Sequence, residues 1–195
     1  MSDNTNTERK KIDKSKSNNK DFYKRVGAPT WKVVLWYFIN LIFIKNHYNP
    51  FSTLRIFFLR LFGAKIGEKC NVKPGAYIKF PWNLEMGNYV SIGENVWLDN
   101  YGKLVLKDQV TISQDALILT GQHNFWDSAF NSYVVPLTTL EEGVWICSKA
   151  IVLPSTVTCK SHSILTSASV STKPMKEYTI YAGNPAKAVG ERIIL

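Results

Sequence analysis

From Ile66 onward the chain repeats every six residues, and this period constrains its fold more than any other feature. Ile66, Val72 and Ile78 are followed, after a two-residue slip, by Met86, Ile92 and Leu98, and after another slip by Leu106, Ile112 and Ile118. Beyond a non-repeating stretch the period resumes at Ile146, Val152, Thr158, Ile164 and Val170, where Thr158 alone is not aliphatic. Four residues after most anchors stands a small or compact side chain, among them Cys70, Ala76, Val96, Gly102, Ala116, Ala150, Thr156 and Ala168. Helices repeat at 3.6 residues and strands at 2, so neither produces six. A three-sided coil does: each face takes six residues, and equivalent anchors stack on those of the next coil, as in other solenoids. The expectation is a mainly β chain in which aliphatic anchors fill a prism and small residues occupy crowded corners. Gly67, Gly87 and Gly93, directly after anchors, are expected to relieve the backbone at the bends.

A chain of 195 residues is long enough for one such domain and too short for a second large one. Its three cysteines, Cys70, Cys147 and Cys159, form neither an even set nor a metal-binding spacing, which argues against a disulfide framework and a zinc site. The net charge of +9 suggests nucleic acid until it is mapped. Residues 1 to 65 hold 13 Lys and Arg against 4 Asp and Glu, and the remainder holds 11 against 11. A neutral domain behind a basic leader points to an anionic surface near the N-terminus, such as lipid head groups, and not to nucleic acid. The polar start lacks the apolar core of a secretory signal, so a cytoplasmic location is expected.

The pattern divides the chain into a disordered basic tail over 1–20, a helical segment over 21–65, a β-helix over 66–177 with a loop at about 122–143, and a C-terminal segment over 178–195. The apolar run at 31–44 is shorter than the roughly 20 residues a spanning helix needs. Residues 51–67 place Arg55 and Arg60 among Leu, Ile and Phe, as a helix with one polar edge would. Two short helices joined at Asn49 and Pro50 are expected. Their aromatic content suits peripheral membrane contact through residues 22–62. The competing account is that they cap the open first coil.

The register resembles that of the hexapeptide-repeat acyltransferases, and its details resemble the colanic acid biosynthesis acetyltransferase family. The likeness runs from about Asn49 to Arg192, through NPFSTLRIFFLRLFGAKIG, PWNLEMGNYVSIGENVWL, ISQDALILTGQHNF, VLPSTVT and AGNPAKAVGER. It implies a left-handed parallel β-helix, acetyl-CoA as acyl donor, a sugar or lipid-linked glycan acceptor, a homotrimer with the donor groove between prisms, and no metal. The last coils depart from the family pattern: Cys147, Cys159 and Leu165 stand where Gly is usual, and Ser155 follows Pro154 in place of Gly.

Acetyl transfer to a hydroxyl needs a base for the hydroxyl proton, donors for the oxyanion and alignment of both substrates. Of the three histidines, His123 alone lies where the repeat breaks, in TGQHNFWD, on a loop leaving a rigid scaffold. In the resembled family the histidine of this motif is the base. The same likeness gives Asn100 an acceptor contact, although Asn at a turn also suits a left-handed backbone. Asp127 is a candidate for orienting His123 or gripping a sugar hydroxyl. For the donor, the likeness implies the Ser148 amide at the thioester carbonyl, Thr166 and Ser167 along the pantetheine arm, and Lys173 and Lys187 near the phosphates. The coil register would favour Thr172 over Lys173; counting back from AGNPAK selects Lys173, which carries the charge phosphate needs. His162 reads as a corner histidine facing solvent. N-acetyl transfer to an amino sugar, a non-enzymatic β-helix scaffold and a γ-carbonic-anhydrase-like metal protein are the alternatives. The last needs several spaced histidines, and His47, His123 and His162 lie far apart in sequence.

Overall fold

The computed structural model describes residues 10–18, 26–134 and 137–195, so parts of the expected tail and of the expected helical segment lie outside the described residues. Among the described residues short strands form three sheets of five, seven and five members around a common core, parallel except for the terminal strand of the seven, and this is the parallel β-helix that the six-residue period requires. On the first face Ile66, Met86, Leu106, Leu140 and Cys159 stack in register. The second stacks Val72, Ile92, Ile112, Ile146 and Leu165, and the third Ile78, Leu98, Ile118, Val152 and Ser171. All except the half-buried Ile66 are buried. Each buried aliphatic stabilises by about 1.5–3 kcal/mol, so these rows supply much of the driving force.

The register differs from the expected one after Val152. Cys159, Leu165 and Ser171 point inward, whereas Thr158, Ile164 and Val170 are only half-buried. The cause is one additional residue at a corner, where Pro154–Thr156 form a 3-10 turn and Val157 adopts φ 56°. Cys159 and Leu165 are therefore anchors and not glycine substitutes. Leu140 is an anchor as well, and the coil resumes at Leu137, before the expected end of the loop. In this register the compact row continues as Val144, Ala150, Thr156, Ser163 and Ser169, all buried. The inward Ser171 hydroxyl is satisfied locally: it donates to the Lys173 carbonyl at 3.1 Å and accepts from the Thr156 hydroxyl at 3.0 Å.

The bends also differ from expectation. Positive φ falls three residues after the anchors, at Lys69, Tyr89, Asn95, Gln109, Asp115, Lys149, His162 and Ala168, with Gly75 and Gly143 at equivalent corners. Gly87 serves close packing instead: a Cβ there would lie 2.1 Å from the Asp108 carboxylate on the next coil.

An open first coil would expose sheet edges, and the helices Thr30–Ile39 and Ser52–Leu61 cover all three. Trp36 Nε1 and Asn40 Nδ2 each donate to the Ile78 carbonyl at 2.9 Å. Ser52 Oγ accepts from the Val72 amide, and Arg60 donates to the Ile66 and Gly67 carbonyls. Arg55 is not on a polar edge but fully buried, donating to the carbonyls of Ile44, Asn46, Asn49 and Val72. Burial pushes its guanidinium below its ordinary pKa, and the surrounding carbonyls offset the lost hydration. No helix among the described residues is long and apolar enough to cross a membrane.

Candidate active site

The third sheet delivers the chain to the corner where the repeat breaks. Strand Leu117–Leu119 leads through buried Thr120 into strand Gly121–His123, which pairs antiparallel with Ser132–Val134. The hairpin brings residue 130 beside His123, whose exposed imidazole stacks on the Phe130 ring with centroids 4.4 Å apart and planes 15° from parallel. Its Nδ1 lies 3.2 Å from the Phe130 carbonyl oxygen. A carbonyl only accepts, so this contact selects the tautomer protonated on Nδ1 and puts the basic lone pair on Nε2.

Asp127 shapes the same loop. Its carboxylate accepts from the Ala129 amide at 2.9 Å, from Asn131 Nδ2 at 2.7 Å and from the Asn131 amide at 3.3 Å, while its carbonyl accepts from the Phe130 amide at 2.9 Å. The Ala129 N–H and the Asn131 side chain hold the carboxyl below the usual carboxylate range. These contacts connect Asp127 to His123 through Phe130, not by direct orientation of the ring.

Asn100, the expected acceptor contact, lies one coil below with its amide engaged by the backbone. It is fully buried, accepting from the Phe80 amide at 3.0 Å and donating to the Phe80 carbonyl at 2.7 Å. Both ends of its amide thus tie one corner to the next. Immediately above, Thr120 Oγ1 accepts from the Gly102 amide at 2.8 Å, so the base of the His123 hairpin rests on this corner stack.

The expected donor residues gather at a different corner. The Ser148 carbonyl accepts from the Ala168 amide at 3.0 Å, stacking Ser148 against the Thr166–Ser169 bend. Thr166 donates its amide to the Tyr181 carbonyl, and Ser169 Oγ accepts from the Gly183 amide. These bonds dock the hairpin Thr179–Gly183 and Ala186–Glu191, in which exposed Lys187 pairs with Ala182. Exposed Lys173 lies at the corner after Ser171, two coils beyond the His123 corner. One chain therefore brings Ser148, Thr166, Ser167 and Lys187 together but separates them from His123 by the width of the third sheet.

His162 and the buried cysteines are used for packing. His162 is half-buried, its ring 4.8 Å from that of Tyr178, and its carbonyl accepts from Arg192. Among the described residues no group of three or more His, Cys, Asp or Glu is placed to hold a metal. Burial raises the Cys147 thiol and pushes Cys159 up to about 12, which disfavours either thiolate as a nucleophile.

The sequence offered no signal for Phe130, because a loop carries no periodicity and only the hairpin register brings that ring to His123.

The fold is similar to the β-helix of solved hexapeptide-repeat acetyltransferases. Over 167 residues, 86% of this chain and 91% of the relative, it is 29% identical to the protein named as colanic acid biosynthesis acetyltransferase WcaF in Escherichia coli (strain K12). Among solved structures, the hexapeptide-repeat acetyltransferase VCA0836 of Vibrio cholerae superposes with a TM-score of 0.74 at 19% identity, covering 87% of this chain and 98% of that one. VCA0836 has also been solved in complex with acetyl coenzyme A. A galactoside acetyltransferase in complex with coenzyme A gives a TM-score of 0.70 at 20% identity, over 88% of this chain and 82% of its own. No family model matches the chain.

Proposed function

We propose that the protein transfers an acetyl group from acetyl-CoA to a hydroxyl of a sugar or polysaccharide precursor, with His123 as general base. The observation that carries this reading is the imidazole on a projecting hairpin, with Nδ1 directed to the Phe130 carbonyl, a contact that assigns the basic lone pair to Nε2. Nε2 takes the hydroxyl proton as the sugar oxygen attacks the thioester carbonyl. The Ser148 amide receives the oxyanion, and collapse expels the CoA thiolate, to which the imidazolium returns the proton. Transfer is direct, which agrees with raised thiol pKa values at Cys147 and Cys159. Thr166 and Ser167 border the pantetheine arm, and the exposed ammonium groups of Lys173 and Lys187 meet the phosphates.

The separation of His123 from Ser148 favours a site completed between copies of the chain, and a three-fold ring closes such contacts by symmetry. A homotrimer joins the His123 corner of one copy to the Ser148 corner of the next. The helical cap leaves Trp31, Leu35, Tyr37, Phe38, Leu41 and Ile42 exposed on its outer side, which supports peripheral contact with the inner face of the membrane. Anionic liposomes should sediment the full chain; a chain that stays in the supernatant leaves capping as the sole role of the helices.

The test of the reaction is thiol release from acetyl-CoA on addition of glycan repeat units, with the product assigned by NMR. An O-acetyl ester supports this reading, an amide at an amino sugar supports N-acetyl transfer, and no product with any glycan contradicts both.

A further inference from the structure

The projecting hairpin is joined by a segment from the other end of the chain. The Asp13 amide donates to the Ser128 carbonyl at 2.8 Å, and the Asn18 amide to Asn131 Oδ1 at 2.8 Å, so residues 13–18 lie along the loop that carries His123. Composition alone suggested disorder here. Between these ties a 3-10 turn, Lys14–Lys16, is started by the Asp13 carboxylate, which accepts from the Ser15 amide and hydroxyl. The turn carries Lys14 Nζ over the Phe130 ring, 4.8 Å from its centroid.

Phe130 therefore touches Lys14 and His123 alike. Contacts of 4.8 and 4.4 Å through that ring put the Lys14 ammonium no more than about 9 Å from the centre of the imidazole. One sugar residue with a charged substituent spans such a distance. Among the described residues 10–18 the segment is basic, with exposed Lys10, Lys11, Lys14 and Lys16 against Asp13 alone, which pairs with Lys16 at 3.1 Å. The nearest loop carboxylate, Asp127, is turned toward Ala129 and Asn131. The hairpin also closes on itself, through the Asn124 amide to the Asn131 carbonyl and the pairing of His123 with Ser132, so the segment adds charge to the loop more than it adds shape.

The geometry points to Lys14 as a specificity-determining residue that reads an anionic group, carboxylate or phosphate, one sugar residue away from the hydroxyl addressed by His123. This rests on the acetyl-transfer reading for the identity of that hydroxyl, though not for the charge selection itself. An ammonium is a compact point charge that serves either anion. Its contact with the Phe130 ring is a weak one at an exposed site, so Lys14 can turn to a bound anion at little cost.

The test is calorimetric binding of one disaccharide in neutral, uronate and 1-phosphate forms to the full chain and to Lys14→Gln, with acetylation rates measured in parallel. The native chain should bind at least one anionic form about fivefold more tightly than the neutral form, the scale of a single partly screened charge. That ratio should fall toward one in Lys14→Gln and in high salt; the form that loses its advantage identifies the anion. Lys14 is exposed and outside the core, so folding is not at issue. Equal binding of all three forms by the native chain, or a ratio retained in Lys14→Gln, overturns the assignment. Charge selectivity without acetyl transfer would instead count against the proposed reaction and leave the role of Lys14 standing.

Discussion

The imidazole of His123 lies flat on the ring of Phe130, and the carbonyl of the same residue meets its Nδ1 at 3.2 Å. Side chain and backbone of Phe130 thus fix both the plane and the tautomer of the proposed base. Phe130 is held in turn by Asp127, whose carbonyl and carboxylate bind three consecutive residues, 129 to 131.

This arrangement predicts a pH dependence of loop order. The Asp127 carboxyl titrates below its ordinary value because the Ala129 N–H and the Asn131 groups bind its charged form. Its stabilisation of the loop is complete above about pH 4, the ordinary aspartate value, and is lost as pH falls through the depressed one. Protection of the Ala129 and Asn131 amides from exchange, taken relative to the intrinsic rate at each pH, should therefore hold down to about pH 4 and decline below it. In Asp127→Ala it should be low throughout. Slow exchange in that variant would show that the hairpin needs no carboxylate.

Asn100→Ala should destabilise the fold. Both its amide groups are bonded to a buried backbone unit, and removing them strands the Phe80 N–H and carbonyl. The expected loss is about 3 kcal/mol, or roughly 6 to 12 °C in Tm for a chain of this size. If the acetylation KM for the glycan rises while Tm is unchanged, Asn100 acts on the acceptor and not on the corner.

Neutralising Lys173 and Lys187 should weaken acetyl-CoA more than dephospho-CoA or pantetheine analogues. Both side chains are exposed, so their removal leaves the core intact. The affinity of each donor can be read by calorimetry. Equal losses for full-length and truncated donors would remove both lysines from the phosphate site.

The solenoid was legible in the sequence because its core is a stacked row, and a row of Ile, Val and Leu every six residues has no other simple origin. The slip after Val152 was harder to see. Thr158, Ile164 and Val170 keep the old spacing and are more hydrophobic as a set than a row ending in Ser171, yet Pro154 and Val157 build a corner one residue longer. Glycines after anchors suggested bends, whereas the left-handed corners fall two positions later and mostly carry side chains. His123 stood out by its place at the break in the repeat. Phe130 and Lys14 did not, since their relation to it depends on a hairpin register and on a tail whose composition suggests no structure. The separation of His123 from Ser148 was equally hidden, because the sequence orders residues along the coil without revealing that the third sheet lies between their corners.

The most direct test of the account is the turnover of His123→Ala with acetyl-CoA and an acetylatable glycan, measured beside acetyl-CoA affinity and assembly state. Removing a positioned base should lower turnover by roughly 100- to 10,000-fold, with donor affinity and assembly unchanged. Near-native turnover in that variant would contradict the mechanism and remove His123 from it.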